Sequence, residues 1–461
     1  MGLVLSGGTV VGERDCRTAD VRLADGRIAA VGPAVAGPGD EVWPVAGCFL
    51  LPGGVDPHTH FDLPVAGTRT SDDFLSGTRA ALLGGTTTII DFATQFRGES
   101  LAAALAARRA LAAACYTDYG FHMAVTDWTD STAAEMDTLV REEGISSFKL
   151  YLAYKNSLQV DDLTLLGAMR QAGESHALVC LHCENGDMVE FLAREACSHG
   201  ETGVRLHPLT RPPAAEEEAV FRAVRLAGAA GAPLYVVHLS CRAALAVVGA
   251  AREGGAQVYA ETCPQYLLLD ESLYRGDEGT AAGYVCAPPL RTPADQAALW
   301  EGLRTGLLDT VGTDHCSFNQ RGRNDLGRGD FRRIPGGLPG VETRLALLYT
   351  YGVTAGRISI NRFVELVATG PARLFGLYPR KGTVAVGGDA DLVVWDPAAA
   401  GVIRAADLSQ AVDYTPFEGF ARAGAVRHVF LRGRPVVVDG RLADEQPRGV
   451  YLYRQPWGGG R

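Results

Sequence analysis

Apolar residues fall in two alternating rhythms along this chain. Short continuous runs bounded by Gly, Pro, Asn or Asp give way to longer stretches in which apolar positions recur every three or four residues. The first kind reads as strands buried on both faces, the second as helices with one buried face. Strands are predicted at 50–57, 86–91, 119–125, 147–153, 177–183, 234–239, 257–262 and 309–313. Helices are predicted at 71–83, 99–116, 130–143, 161–174, 187–199 with 214–230, 241–253, 293–306, 340–351 and 359–369. Gly84-Gly85 and Gly228 supply stops, and Asp161 an N-cap. Eight strand–helix units fill a (β/α)8 TIM barrel, and no Gly-x-Gly-x-x-Gly after the first strand argues for an open dinucleotide-binding sheet.

The two ends have a different texture. Residues 3–10, 19–24 and 27–31 are short strand candidates with an Asp25-Gly26 hairpin turn, and 383–397 and 427–442 repeat the pattern. Neither end can build a two-layer domain alone, so both are expected to form one small β-sandwich. The division is then 1–49 and 376–450 for the two parts of the sandwich, 50–375 for the barrel, and 451–461 for a loose tail or oligomer contact.

Composition narrows the class. A hydrophobic fraction of 47%, a charged fraction of 21% and a net charge of -10 fit a soluble globular protein and give no sign of a nucleic-acid or anionic-membrane partner. The N-terminal segment lacks the basic and apolar regions of a secretory signal, and no apolar stretch is long enough to span a bilayer, so a cytoplasmic location is expected. Ten Cys form no dense framework; Cys180 and Cys183 sit in a strand-like run and read as structural thiols, with Cys183 and Cys263 near enough to the candidate site to be oxidation-sensitive.

Polar residues interrupt the strand runs at their carboxyl ends. His58 and His60, two apart in extended backbone, point the same way, so one ion beyond the strand end can take a nitrogen from each. His182, His238 and Asp314 each close a later run. In SSFKLYLAY, Phe148, Leu150 and Leu152 share the helix-facing side, which turns Lys149 and Tyr151 into the barrel. A bare ammonium there is costly, and beside two cations costlier still, whereas carbon dioxide added to the neutral amine gives a carbamate able to bridge them. Four imidazoles, a lysine and a carboxylate on the catalytic rim favour Zn²⁺, with Mn²⁺ or Co²⁺ accepted by the same donors. Glu184-Asn185 and Glu261-Thr262 are placed to orient ligand imidazoles. Tyr154 is a candidate donor to an oxyanion, while His122 and His315 read as core or supporting residues.

The segments GGVDPHTHFD, SSFKLYLAYKN, VCLHCEN, YVVHLS, ETCPQYLLLD and VGTDH together resemble the hydantoinase/dihydropyrimidinase branch of the amidohydrolase superfamily over essentially the whole chain, nearest to the bacterial D-phenylhydantoinase group. The resemblance implies one metal on His58, His60 and Asp314, a second on His182 and His238, and a carboxylated Lys149 bridging both. It also implies ureide binding by main-chain groups at Ala287 and Gly336, with Tyr154 donating to the carbonyl. This chain has Ala287 where many members carry Ser and Gly336 where many carry Asn, which removes side-chain support beside the ring. Loops 62–71, 93–99 and 151–158, with Leu63, Pro64, Val65, Phe96 and Leu158, are expected to line the substituent pocket. The expected activity is ring opening of 5-substituted hydantoins, D-selective and tolerant of aromatic groups, and of dihydropyrimidines. The product is an N-carbamoyl amino acid, and the expected assembly a homotetramer. Allantoinase or dihydroorotase-like activity, or a noncatalytic scaffold, are the competing readings.

Overall fold

The chain switches from one sheet to another at Gly53. Its amide bonds to the Asp391 carbonyl at 2.8 Å, while the next amide, Gly54, bonds to Gly85 at 2.9 Å. A Cβ at Gly53 would lie 2.1 Å from the Thr87 hydroxyl, so no side chain fits the crossing. The single strand expected at 50–57 is therefore two: Phe49–Pro52 in a terminal sheet, and Gly54–Thr59 in a barrel. The apolar run LLPGGV hides the change because both halves are buried.

This computed structural model describes residues 2–65, 67–443 and 445–459. The barrel sheet has eight parallel strands: β1 (Gly54–Thr59), β2 (Thr86–Thr94), β3 (Asp118–Ala124), β4 (Ser147–Tyr151), β5 (Leu178–His182), β6 (Leu234–Val236), β7 (Val258–Thr262) and β8 (Thr310–Val311), each beside its neighbours in chain order. Between β8 and β1, Thr59 bridges to His315, and the buried Arg344 guanidinium donates to the carbonyls of Val55 (2.9 Å) and Val311 (3.0 Å). One side chain thus pins the seam.

Helices flank the strands. Side chains of Asp73, Ser100, Asp161, Asn185 and Thr292 cap the helices that begin at Phe74, Leu101, Asp162, Gly186 and Pro293. Each satisfies an otherwise unpaired amide, worth about 0.5–2 kcal/mol. Gly228 does not stop its helix; the helix runs Pro213–Ala230 and ends at Gly231, whose φ of 71° suits the left-handed cap. Phe148 and Leu150 join the core under the helices, whereas the Lys149 amine faces inward over the rings of Phe92 and Tyr151.

The termini build one mixed sheet of nine strands, in the order Arg441–Leu442, Arg434–Val438, Ala421–Leu431, Leu392–Val402, Phe49–Pro52, Leu3–Val11, Cys16–Ala24, Arg27–Gly32, with Glu41–Pro44 alongside Leu3–Val11. It folds over on itself: the Trp43 ring meets those of His428 and Phe430 edge-on at 5.2 and 5.5 Å. Leu5, Val21, Leu23, Leu50, Leu392 and Phe430 fill the space between.

Residues 450–457 are not a loose tail. The Leu452 amide bonds to the Tyr119 carbonyl at 2.8 Å, Gln455 to Gly376 at 2.9 Å and Trp457 to His176 at 2.6 Å. Leu452 is fully buried against Val55, Ile90, Leu178 and Tyr235, and Arg454 donates to Ser147 and to the Phe121 carbonyl. The segment covers the amino-terminal end of the barrel and leaves the opposite rim for the polar residues. Among the described residues no helix is long and apolar enough to cross a membrane.

Candidate active site

At the end of β1 the chain is held by two buried carboxylates. Asp56 accepts from the His58 amide (3.2 Å) and from the amide and hydroxyl of Thr313 (3.1 and 2.6 Å). Asp91, within β2, accepts from the Thr59 hydroxyl (2.9 Å) and the Phe61 amide (3.0 Å). Between these anchors His58 and His60 project toward Asp314, whose Oδ1 lies 3.1 Å from each Nε2. Among the described residues these are the one group of three or more His, Cys, Asp or Glu whose ligand atoms lie close enough to hold an ion, all within 4.8 Å of one another.

The hydrogen-bond chemistry of this group calls for a cation. A carboxylate only accepts, so His58 Nδ1, 2.6 Å from Glu261 Oε1, carries the ring proton. His58 Nε2 then turns a lone pair, without a hydrogen-bond partner, toward the Asp314 oxygen. Two electron-rich atoms at that distance repel unless a positive charge joins them. Glu261 itself accepts from the Tyr235 hydroxyl (2.8 Å) and the His238 amide (3.1 Å), as a carboxylate does.

A second convergence lies alongside. His182 Nε2 is 2.7 Å from Glu184 Oε2, so His182 Nδ1 is the bare nitrogen, and it faces His238 Nε2 at 2.9 Å. The rings of His58 and His238 are 5.5 Å apart, which sets the two convergences side by side. His238 Nδ1 is buried and, among the described residues, has no hydrogen-bond partner. Two imidazoles alone make an incomplete ion site, and the lysine expected to complete it stands on the adjoining strand, Lys149 paired with Cys180 as Tyr151 is with His182. Its amine is buried, and among the described residues no carboxylate pairs with it; burial pulls it down to about 8. The donors of His58, His60 and Asp314 therefore fit a metal ion, while among the described residues His182 and His238 beside Lys149 do not by themselves complete a second group.

Charge at Asp314 is balanced between opposing effects. Burial alone would raise its carboxyl, but His58, His60 and Lys149 outweigh burial and hold it below the usual carboxylate range. Tyr154 leans over the pair, its ring 5.0 Å from that of His182, and burial pushes its phenol above the ordinary value. It stays a donor at neutral pH.

The remaining candidates are placed less tightly. Ala287 is half-buried and Gly336 exposed, on segments joined by the Gly337 amide to the Val285 carbonyl at 2.9 Å. A Cβ at Gly336 would meet nothing closer than 4.0 Å, so the missing side chain leaves open space. Leu63 is half-buried on the loop after His60, and Phe96, on the loop after β2, is 57% exposed. His122 bonds to Ser147 and the Pro57 carbonyl below the site, and His315 to Asp72 beside it. Three partners went unread in the sequence: the buried Asp56 and Asp91, and the half-buried Arg211. Asp56 shares the parity of His58 and His60, so Asp-x-His-x-His could have revealed it. Asp91 and Arg211 lie far away in sequence and leave no such mark.

With this geometry established, comparison with known proteins gives a consistent result. The sequence pattern described as "Amidohydrolase family" matches residues 49–436. The D-hydantoinase of Geobacillus stearothermophilus is 46% identical over 99% of this chain and 98% of its own length. The D-phenylhydantoinase of Escherichia coli O1:K1 / APEC is 42% identical over 99% of both chains. Among solved structures, the dihydropyrimidinase from Brevibacillus agri NCHU1002 superposes with a TM-score of 0.98 at 44% identity, covering 99% of this chain and 100% of that one. The nearest-group expectation is corrected accordingly: the resemblance is to D-hydantoinases broadly, not to D-phenylhydantoinase in particular, because shared barrel and ligand motifs carry it and they do not sort members by substituent.

Proposed function

Because this chain belongs to the amidohydrolase family, in its hydantoinase/dihydropyrimidinase branch, we propose that it is a binuclear metal hydrolase that opens the C–N bond of five- and six-membered cyclic ureides. The observation that carries the reading is the pair of adjoining convergences, in which the bare His58 Nε2 faces the Asp314 oxygen and His182 Nδ1 meets His238 Nε2 beside a buried lysine. His58, His60 and Asp314 would hold one ion and His182 and His238 the other, with a carboxylated Lys149 as a ligand to both. Two such ions, zinc foremost, supply Lewis-acid polarisation of the ring carbonyl and a more acidic attacking water.

The chain's own groups do the rest. Asp314 accepts the proton of the water as it adds to the carbonyl carbon, and then delivers it to the departing ring nitrogen. Tyr154 donates a hydrogen bond to the oxygen on which negative charge gathers. Main-chain groups at Ala287 and Gly336 hold the ureide edge, and Leu63 and Phe96 flank the substituent. D-selectivity, a homotetramer and a cytoplasmic location complete the reading and rest on the resemblance.

Purified enzyme should contain two zinc ions per subunit, carry one added carbon dioxide on Lys149 by gentle mass spectrometry, and turn over D-5-phenylhydantoin and dihydrouracil. Preference for allantoin or dihydroorotate, or no ureide hydrolysis by metal-replete protein, would overturn the assignment.

A further inference from the structure

A ring of buried charge behind the second convergence has no part in the mechanism above. Glu184 Oε2 accepts from His182 Nε2 and also from Arg211 Nη1, at 2.6 Å. The Arg211 carbonyl accepts from Arg291 Nη1 at 2.5 Å. Arg291 continues to Glu216 Oε2 (3.1 Å) and to the Ser240 hydroxyl (3.0 Å), and the Ser240 amide donates to Glu216 Oε1 at 2.8 Å. Ser240 stands two residues beyond His238. Polar links thus run from His182 through Glu184, Arg211, Arg291 and Glu216 to the loop that carries His238, tying the ends of β5 and β6 together from behind. The Arg211 guanidinium also lies 5.7 Å from the centre of the Tyr154 ring.

We infer that Arg211 is a positioning residue for the second metal and for the Tyr154 phenol, and this rests on the reading that His182 and His238 bind that metal. The argument is one of geometry and charge. Glu184 orients His182 only while its oxygen stays where it is, and among the described residues its other oxygen, Oε1, is buried without a hydrogen-bond partner. Among the described residues Arg211 is the one Lys or Arg bonded to the oxygen that holds the imidazole. Removing it leaves a buried carboxylate free to swing, and the imidazole with it, while the first convergence keeps its separate anchors in Glu261, Asp56 and Asp91. Arg211 lies between two helices, His207–Thr210 and Pro213–Ala230, so a substitution need not disturb the barrel strands.

Zinc content after dialysis of the holoenzyme against a graded chelator series tests the inference. Wild type should hold two zinc ions per subunit; fewer would defeat the functional reading itself, whatever the variants do. Given two in wild type, Arg211→Gln should lose one ion at a chelator concentration at least tenfold lower while keeping the other at the wild-type concentration, and Arg211→Lys should fall between. Reloaded with excess zinc, Arg211→Gln should lose more in kcat than it gains in KM, because the phenol is misaimed. Wild-type chelator resistance for both ions in Arg211→Gln, or equal weakening of both, would overturn the inference. If Arg211→Gln fails to fold, the same comparison on Arg211→Lys decides it by the same criteria.

Discussion

Tyr154, His238 and Asp314 share an unusual backbone, with φ of 68°, 40° and 50°. For residues with a Cβ this left-handed region costs on the order of 1–3 kcal/mol each. At the end of a strand it breaks the period-two alternation, so a side chain that would continue along the strand face turns over the barrel mouth instead. Other non-glycine residues, such as Asp25 and Asp439 in hairpin turns, also adopt positive φ, but these three meet the two convergences, and Asp314 illustrates how the strain can be used. Asn tolerates the left-handed region almost as well as Asp, so Asp314→Asn should preserve the backbone and part of the metal content while removing the proton carrier. Turnover of a good ureide should fall by roughly 10²–10⁴-fold. Near-wild-type kcat in a metal-replete Asp314→Asn protein would move the proton transfer elsewhere, with His315 the next group to examine. At this scale the His and Asp candidates were legible because they end apolar runs, and Lys149 because of its parity within one. Of their supports, Glu184 and Glu261 were legible beside the strand ends, but Asp91 and Arg211 were not, since the hydrogen bonds from Thr59 to Asp91 and from Arg211 to Glu184 join elements whose proximity only the closed barrel creates.

The segment after strand Leu392–Val402 returns from the terminal sheet to the barrel rim. Amides of Ser409 and Gln410 donate to Glu342 Oε2 (2.7 and 3.3 Å), and the Ala411 amide to Asp72 Oδ1 (2.7 Å). Asp72 also holds His315, the neighbour of Asp314, at 3.0 Å. Glu342 lines a cleft of about 950 Å³ between barrel and sheet, away from the candidate site. Burial pushes its carboxyl up to about 7, from 4.5 in an open chain. The folded state therefore favours the protonated form: this contribution to stability is complete below pH 4.5 and disappears as pH rises through 7, by up to about 3 kcal/mol. Glu342→Gln keeps an oxygen for the two amides and should flatten that part of the pH–stability profile, making the variant the more stable protein at pH 8. Urea unfolding across pH 4.5–8 checks this; an unchanged slope would show that other groups set it. Elements themselves were readable where a single face or a continuous run dominated, hence all eight barrel strands and the principal helices. Glu41–Pro44, exposed along most of its length, offered no apolar run to detect. The crossing at Gly53 was invisible because burial is continuous through it.

Across the whole molecule the two ends of the sequence do different work from its middle: the terminal sheet flanks the barrel, and residues 450–457 close its base. Leu452 should therefore behave as a core residue despite its place in the sequence. Leu452→Ala is expected to cost about 2–5 kcal/mol, seen as unfolding at lower urea, with kcat of the folded protein unchanged because the opposite rim is untouched. Loss of kcat without loss of stability would tie the base to the site in a way the packing does not. The same closure also fixes a sequence of events in time. Arg454 meets the Phe121 carbonyl across 333 positions of chain, so the barrel cannot be sealed until the ribosome has passed Arg454. Contacts between such distant residues form slowly, and until they do Val55, Leu178 and Tyr235 face water. The hazard for this protein is greatest during its manufacture, when a nascent chain with an open base presents an apolar surface for chaperones, or for other unfinished copies, to find first.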